Sequence, residues 1–390
     1  MPNFFAVCTP GLESFTAKEL KDLDLRTTGP SSEHAGSLPA EEDVEEVGGV
    51  EFRGSLADLY LANLHLRTAS RVLLHLGSFY ADTFSDLRRR AKRLSWEAYM
   101  RPGRPVALRV TCHKSRLFHS AAVMERILES IGARLGQVPP TKKIDEEEKS
   151  NPPQLVIVRI LENRCSISVD SSGALLHRRG YRLATGKAPL RETLAAGMLM
   201  ASGWGLQSPL IDPFCGAGTI PIEAALMARR IPPGLHRHFA FMDWPNFGAE
   251  AWERLKALSQ KGPKKFLPPI LGSDRDAGAI RAAGENAERA GVADSVVFSC
   301  RAVSNLDPPP GPGWVVTNPP HGVRLKSHRD LRSLYIRLGR VLRAKCPGWN
   351  AAILCSSDSL LDLSGIRFDR RFPMRSGGLR VTLAIGMIGY

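Results

Sequence analysis

Apolar positions along this 390-residue chain follow two different rhythms. In the first part, Phe4-Phe5-Ala6-Val7 predicts a strand, Pro10-Gly11 a turn, and residues 12–23 a helix by their three-and-four apolar spacing. Residues 26–49 are polar, rich in Ser, Gly and Glu, and predict a loop. Val50-Glu51-Phe52 predicts a short strand, and Ser55 can cap a helix over 56–66. A strand over 71–76, a basic helix over 83–93, a strand over 106–112 and a helix over 118–132 follow. Residues 141–150 are charged and predict an exposed stretch, and 155–160 with 165–170 predict a hairpin. This is an α+β pattern, with strands and helices too short for a nucleotide-binding sheet.

The second part alternates strand and helix. A helix over 190–200 precedes a buried strand, 209–212, a Gly-rich turn, 215–218, and a helix, 219–229. A strand over 269–274 and a helix over 277–290 repeat the unit, and strands over 296–300 and 314–317 follow. A helix over 331–343 and strands over 351–355 and 380–388 complete it. Residues 231–267 interrupt the order as an insertion whose aromatics (Phe239, Phe241, Trp244, Phe247 and Trp252) are expected to form mainly local core. Alternation of this kind implies a mostly parallel, doubly wound sheet that binds ligands at the carboxyl ends of its strands.

Composition adds a partner. The apolar fraction of 43% and charged fraction of 24% are those of a folded protein, but the net charge of +14 favours a polyanion, nucleic acid first. The seven cysteines show no zinc or dithiol spacing, so no metal and a reducing compartment are expected. No signal peptide and no run of ~20 apolar residues is read. A soluble, cytoplasmic protein is the expectation.

Three constellations carry chemistry. Asp212-Pro213-Phe214-Cys215-Gly216-Ala217-Gly218-Thr219 ends a strand in an acid and opens a helix through glycines. It lacks the Lys of a phosphate loop, and Asp212 suits a cationic ligand such as S-adenosylmethionine. Asp274, ending the next strand before Arg275, suits ribose hydroxyls, although Asp276 is at least as good a helix cap. Asn318-Pro319-Pro320-His321 follows the apolar strand 314–317 and is the most specific signal. An amine on a conjugated ring is a poor nucleophile; two acceptors, the Asn318 oxygen and a backbone carbonyl, can bind its N–H groups and turn the lone pair toward a methyl donor. His321 offers a ring face for the base.

Together these motifs resemble the THUMP-domain guanine-N2 RNA methyltransferases. The likeness rests on residues 4–19 with Thr9-Pro10-Gly11-Leu12-Glu13, on 62–72, on His177-Arg178-Arg179-Gly180-Tyr181-Arg182, on 188–195, on 212–225, on Trp244-Pro245-Asn246-Phe247 and on the Asn318 motif. It implies a ferredoxin-like segment (1–65), a THUMP RNA-binding domain (66–176) and a Rossmann-like class I methyltransferase domain (177–390). It further implies S-adenosylmethionine as cofactor, held by Asp212, Phe214, Cys215, Gly216, Gly218, Thr219, Asp274, Arg275 and Asn318. Asp307 is placed beside the adenine, and Glu192 and Thr193 near the methionine end. Asn318, Pro319, Pro320 and His321 are the implied catalytic set; the family usually has Tyr or Phe where this chain has His321.

RNA capture is expected from Arg88, Arg89, Arg90, Lys92 and Arg93 on the basic helix, from Lys114 and Arg116, and from Arg178 and Arg179, as phosphate contacts. The motif by itself leaves guanine N2, adenine N6 and a glutamine amide open; the basic, THUMP-like first part decides for RNA, and the resemblance implies large-subunit ribosomal RNA before transfer RNA. A non-catalytic RNA-binding protein is the remaining alternative.

Overall fold

A computed structural model describes residues 1–27, 48–144, 152–182, 190–259, 267–320, 328–376 and 378–389. The first half contains β1 (Asn3–Cys8), α1 (Glu13–Asp22), β2 (Arg26–Thr27), β3 (Gly49–Arg53), α2 (Leu56–His65), β4 (Ala69–Tyr80), α3 (Phe84–Ala91), β5 (Val106–His113), α4 (Ser120–Leu135), β6 (Gln154–Leu161) and β7 (Arg164–Asp170). The second contains α5 (Glu192–Ser202), β8 (Leu210–Asp212), α6 (Thr219–Ala228), α7 (Ala249–Ser259), β9 (Ile270–Asp274), α8 (Ala277–Arg289) and β10 (Val297–Cys300). β11 (Trp314–Thr317), α9 (His328–Lys345), β12 (Asn350–Cys355), α10 (Asp358–Leu363), β13 (Arg370–Ser376) and β14 (Leu379–Met387) complete it.

Among the described residues the first half forms one seven-stranded sheet, ordered β2-β3-β1-β4-β7-β6-β5. Strand β4 runs for 12 residues and pairs with β1 at one end and β7 at the other, so it joins the two groups of strands into one sheet. Its pairs are antiparallel except β5 with β6. Helices α3 and α4 cover one face: Leu87, Ala91, Val123, Ile127 and Ile131 pack with Val156, Val158, Ile160 and Ile167. Ser55 caps α2 by a capping box with Asp58, as the sequence implies.

The second sheet is ordered β10-β9-β8-β11-β12-β14-β13, parallel up to β12, with β14 antiparallel to both neighbours. The chain builds outward from β8 to β10 and then returns to lay β11 on the other side of β8. The order reverses between β8 and β11, and this is where such sheets bind ligands. Helix α5 is buried along nearly its whole length, and α6 likewise.

The insertion after α6 corrects the local-core expectation. Phe239, Phe241, Trp244 and Trp252 belong to the core of the first half. Phe241 stacks on Tyr60 at a centroid distance of 4.4 Å, and the Trp244 indole donates to Gln154 Oε1 at 2.9 Å. In the other direction, Leu12, just before α1, enters the core of the second half and fills the space above Gly197. None of the described helices is long and apolar enough to cross a membrane.

Candidate active site

The sequence of the Gly-rich turn explains its shape. Gly216 (φ +51°) and Gly218 (φ +84°) both take left-handed conformations that β-carbons disfavour. Beyond that they differ. The space beside Gly218 is filled by Phe298 and Ala283, so this glycine serves packing. Apart from its chain neighbours, no atom of the described residues lies within 4 Å of where a β-carbon on Gly216 would sit, which leaves room over the turn. Backbone bonds fix the turn to β9, with Cys215 N–H on the Ser273 carbonyl at 3.0 Å. The Asn286 side chain also donates to the Ala217 carbonyl at 3.0 Å. Burial pushes the Cys215 thiol far up, so it stays neutral. Phe214 beside it is half-buried.

Asp212 ends β8 almost fully buried. One carboxylate oxygen accepts from the Thr317 hydroxyl at 2.6 Å and from the Phe214 N–H at 3.1 Å. The other has no protein donor among the described residues. Burial, outweighing these bonds, pushes the acid up to about 7, and the nearby Asp274 adds to the rise. The Thr317 bond joins the ends of β8 and β11 across the point where the strand order reverses. Asn318 is the next residue, and its Oδ1 is buried with no donor among the described residues. Pro319 is buried and Pro320 half-buried; His321 lies outside the described residues.

Asp274 accepts the Gly216 N–H and the Asp276 N–H, each at 3.0 Å. Asp276, not Asp274, caps α8, through the N–H groups of Gly278 and Ala279. A cavity of about 180 Å³ opens between β9, β10 and the loop after β10. Ser273, Ser299, Arg301 and Asp307 line it, and the Ser273 hydroxyl is buried without a partner among the described residues. Asp307 is exposed, 3.9 Å from Arg301, and Arg275 is exposed at the mouth of α8.

Glu192 and Thr193 are buried at the start of α5, one step removed from the turn. Arg182 makes the connection: it donates to the Thr219 hydroxyl and pairs with Glu192 at 3.5 Å. Burial raises Glu192, more than Arg182 lowers it. Sequence reading did not single out Arg182; its place at the end of the His177–Arg182 stretch was the available signal.

One expected RNA contact is corrected. Arg179 is 5% exposed, donates to the carbonyls of Leu176 and Arg67, and forms an ion pair with Glu223 of α6 at 3.5 Å. It is a buried joint between the halves and is unable to grip phosphate. Arg178 beside it is half-buried, whereas Arg88, Arg89, Arg90, Lys92, Arg93, Lys114 and Arg116 are exposed.

Residues 179–385 match the family described as RMKL-like, methyltransferase domain. The chain belongs to this family. Ahead of the RMKL-like domain, residues 37–73 match the RlmL ferredoxin-like domain and 81–170 the THUMP domain. A Synechocystis sp. protein, provisionally named an RNA methyltransferase, is 34% identical over 384 residues, covering 97% of this chain and 95% of its own. Among solved structures, SMU.472, provisionally named a methyltransferase and solved with S-adenosylhomocysteine, is 26% identical with a TM-score of 0.83, covering 100% of this chain and 98% of its own. A Listeria monocytogenes protein, provisionally named an N6-adenine-specific DNA methylase, is 29% identical with a TM-score of 0.84, covering 99% and 96%. The expected architecture of ferredoxin-like, THUMP and Rossmann-like methyltransferase parts is that of this RMKL-like chain.

Proposed function

We propose that the protein transfers the methyl group of S-adenosylmethionine to the exocyclic N2 amine of guanine in RNA, with 23S ribosomal RNA as the substrate to test first. The observation that carries this reading is the Asn318 carboxamide oxygen, buried beside the reversal point and without a donor among the described residues. A buried acceptor kept free is costly unless a ligand supplies the missing N–H.

The residues fit the cofactor. The open space at Gly216, the Asp212 oxygen without a donor among the described residues and the acid Asp274, fixed by backbone N–H groups, together suit a cationic nucleoside. When bound, S-adenosylmethionine supplies a methyl group on a sulfonium, ready for in-line displacement. Asp274 would hold the ribose, with Arg275 and Asp307 flanking the adenine. Glu192, Thr193 and Thr219, linked through Arg182, would shape the methionine end. Asn318 accepts one amine N–H, and the Pro319 carbonyl, held by the ring of Pro320, accepts the second. With both N–H groups held, the lone pair points along the transfer axis. His321 offers the ring on which the base stacks.

RNA as substrate is supported by the THUMP match, the name of the Synechocystis relative and the net charge of +14. The name of the Listeria relative favours a second reading, adenine N6, which the same motif chemistry serves. Incubation with methyl-labelled cofactor and bulk RNA, followed by digestion to nucleosides, separates them. Label in N2-methylguanosine is expected. Label in N6-methyladenosine selects the second reading, and label in protein alone overturns both.

A further inference from the structure

Among the described residues the first sheet has helices on one face, and one end of its other face gathers arginines away from the acids Asp170 and Glu51 of the same face. Register places residues of β5, β6, β7 and β4 in successive rows across this face. His113, Leu161, Arg164 and Tyr80 form the outer row; Thr111, Arg159, Ser166 and Ser78 the next; Arg109 begins the third. Directly paired residues point to the same face. Arg109, Arg159, Arg164 and His113 are exposed, as are Tyr80 (61%) and Leu161 (54%). No Asp or Glu stands in these rows. None of the three arginines has an acid partner among the described residues, and Glu162, in the turn joining β6 to β7, forms no ion pair with them.

This differs from the basic helix that the sequence emphasises. There Arg89 pairs with Asp86 and Arg88 with Glu129, and Arg116, in the loop after β5, pairs with Asp82. On the sheet, Arg109 and Arg159 sit close enough to repel: partial burial, with Arg109 beside it, lowers Arg159. Holding like charges together without acids costs stability unless an anion binds them. The face spans about 13 Å along β5 and about 14 Å across the four strands, a size suited to a short stretch of one strand. Lys114 and Arg116 continue it beyond His113.

We propose that this open face, through Arg109, Arg159 and Arg164, grips the phosphates of a single RNA strand and stacks a base on Tyr80. The inference rests on the RNA reading above. Flat, positively charged sheets with an exposed ring bind strands in this way, by backbone charge and stacking.

The test replaces Arg109, Arg159 and Arg164 together by Ala, in the full chain, and measures affinity for bulk ribosomal RNA over rising salt. The expected loss is about tenfold or more, with the log–log salt slope shallower by about 2. Tyr80→Ala should weaken binding about fivefold or more. Replacing the three arginines by Lys should keep most of the affinity, and S-adenosylhomocysteine binding should stay unchanged in every variant. An unchanged affinity and slope in the Ala variant overturns the proposal, as does an equal loss in the Lys variant. If the wild-type protein binds no RNA, the functional reading fails as well, and that result is distinct because it appears before any variant is made.

Discussion

β6 of the first sheet alternates buried and exposed over its second half, whereas β12 of the second is buried without a break from Ala351 to Cys355. The cause is coverage. Helices lie on one side of the first sheet, so alternate side chains at the end of β6 meet solvent; the centre of the second sheet is enclosed, so β12 is apolar from Ala351 to Cys355. Each arrangement puts chemistry in a different place. An enclosed sheet can present polar groups only at its strand ends, and Asp212, Asp274 and Asn318 are there. A half-open sheet can present them across a whole face, as Arg109, Arg159 and Arg164 do.

The comparison can be broken most forcefully at the insertion. Trp244 lies in the second half of the sequence but in the first half's core, so Trp244→Ala should destabilise the first sheet by about 3–5 kcal/mol. Urea unfolding combined with calorimetry of S-adenosylhomocysteine binding would check this. Loss of cofactor affinity with unchanged unfolding would mean the aromatic insertion belongs energetically to the second sheet.

The next effect is at the strand ends. Asn318→Ala should slow methyl transfer by about 10²–10³-fold, about 2.7–4 kcal/mol. Cofactor affinity should be kept, as read by single-turnover assays beside calorimetry. Retained transfer would move the chemistry elsewhere.

The smallest effect concerns pH. Asp212 in the folded protein stays protonated to about 7, whereas in the unfolded chain it ionises near its ordinary value of 3.8. The folded form therefore holds the extra proton between these values. Its contribution to stability is full at low pH and is lost as pH rises through about 7. A cationic ligand reverses the preference by favouring the carboxylate. Affinity for S-adenosylmethionine should rise with pH by up to about tenfold per unit below about 7, then level off. Asp212→Asn should flatten that rise in a calorimetric pH series; a slope equal to wild type would detach Asp212 from the cofactor.

How much could be read beforehand depended on sequence distance. The Gly-rich turn and the Asn318 motif were legible because each is one short stretch whose neighbours in space are its neighbours in sequence. β13 was missed because Arg370–Ser376 is an edge strand, polar on most positions and holding Pro373. α7 and α10 were hidden for related reasons: one lies inside the insertion and the other is six residues long. Arg179 was misread because its partners lie at Arg67 and Glu223, and no local pattern separates a buried guanidinium from a solvated one. The unpaired arginines of the open face were passed over for the opposite reason: spaced by alternation on separate strands, they form no run.

The insertion that crosses between the halves also constrains how the protein is made. The ribosome releases the seven strands of the first sheet before residue 171, yet Phe239, Phe241 and Trp244 emerge some 70 residues later. Until then the nascent N-terminal half has a gap beside Tyr60 that only later-made aromatics can fill. The two halves are therefore finished together, and a cut between them would leave an incomplete interior rather than two independent products.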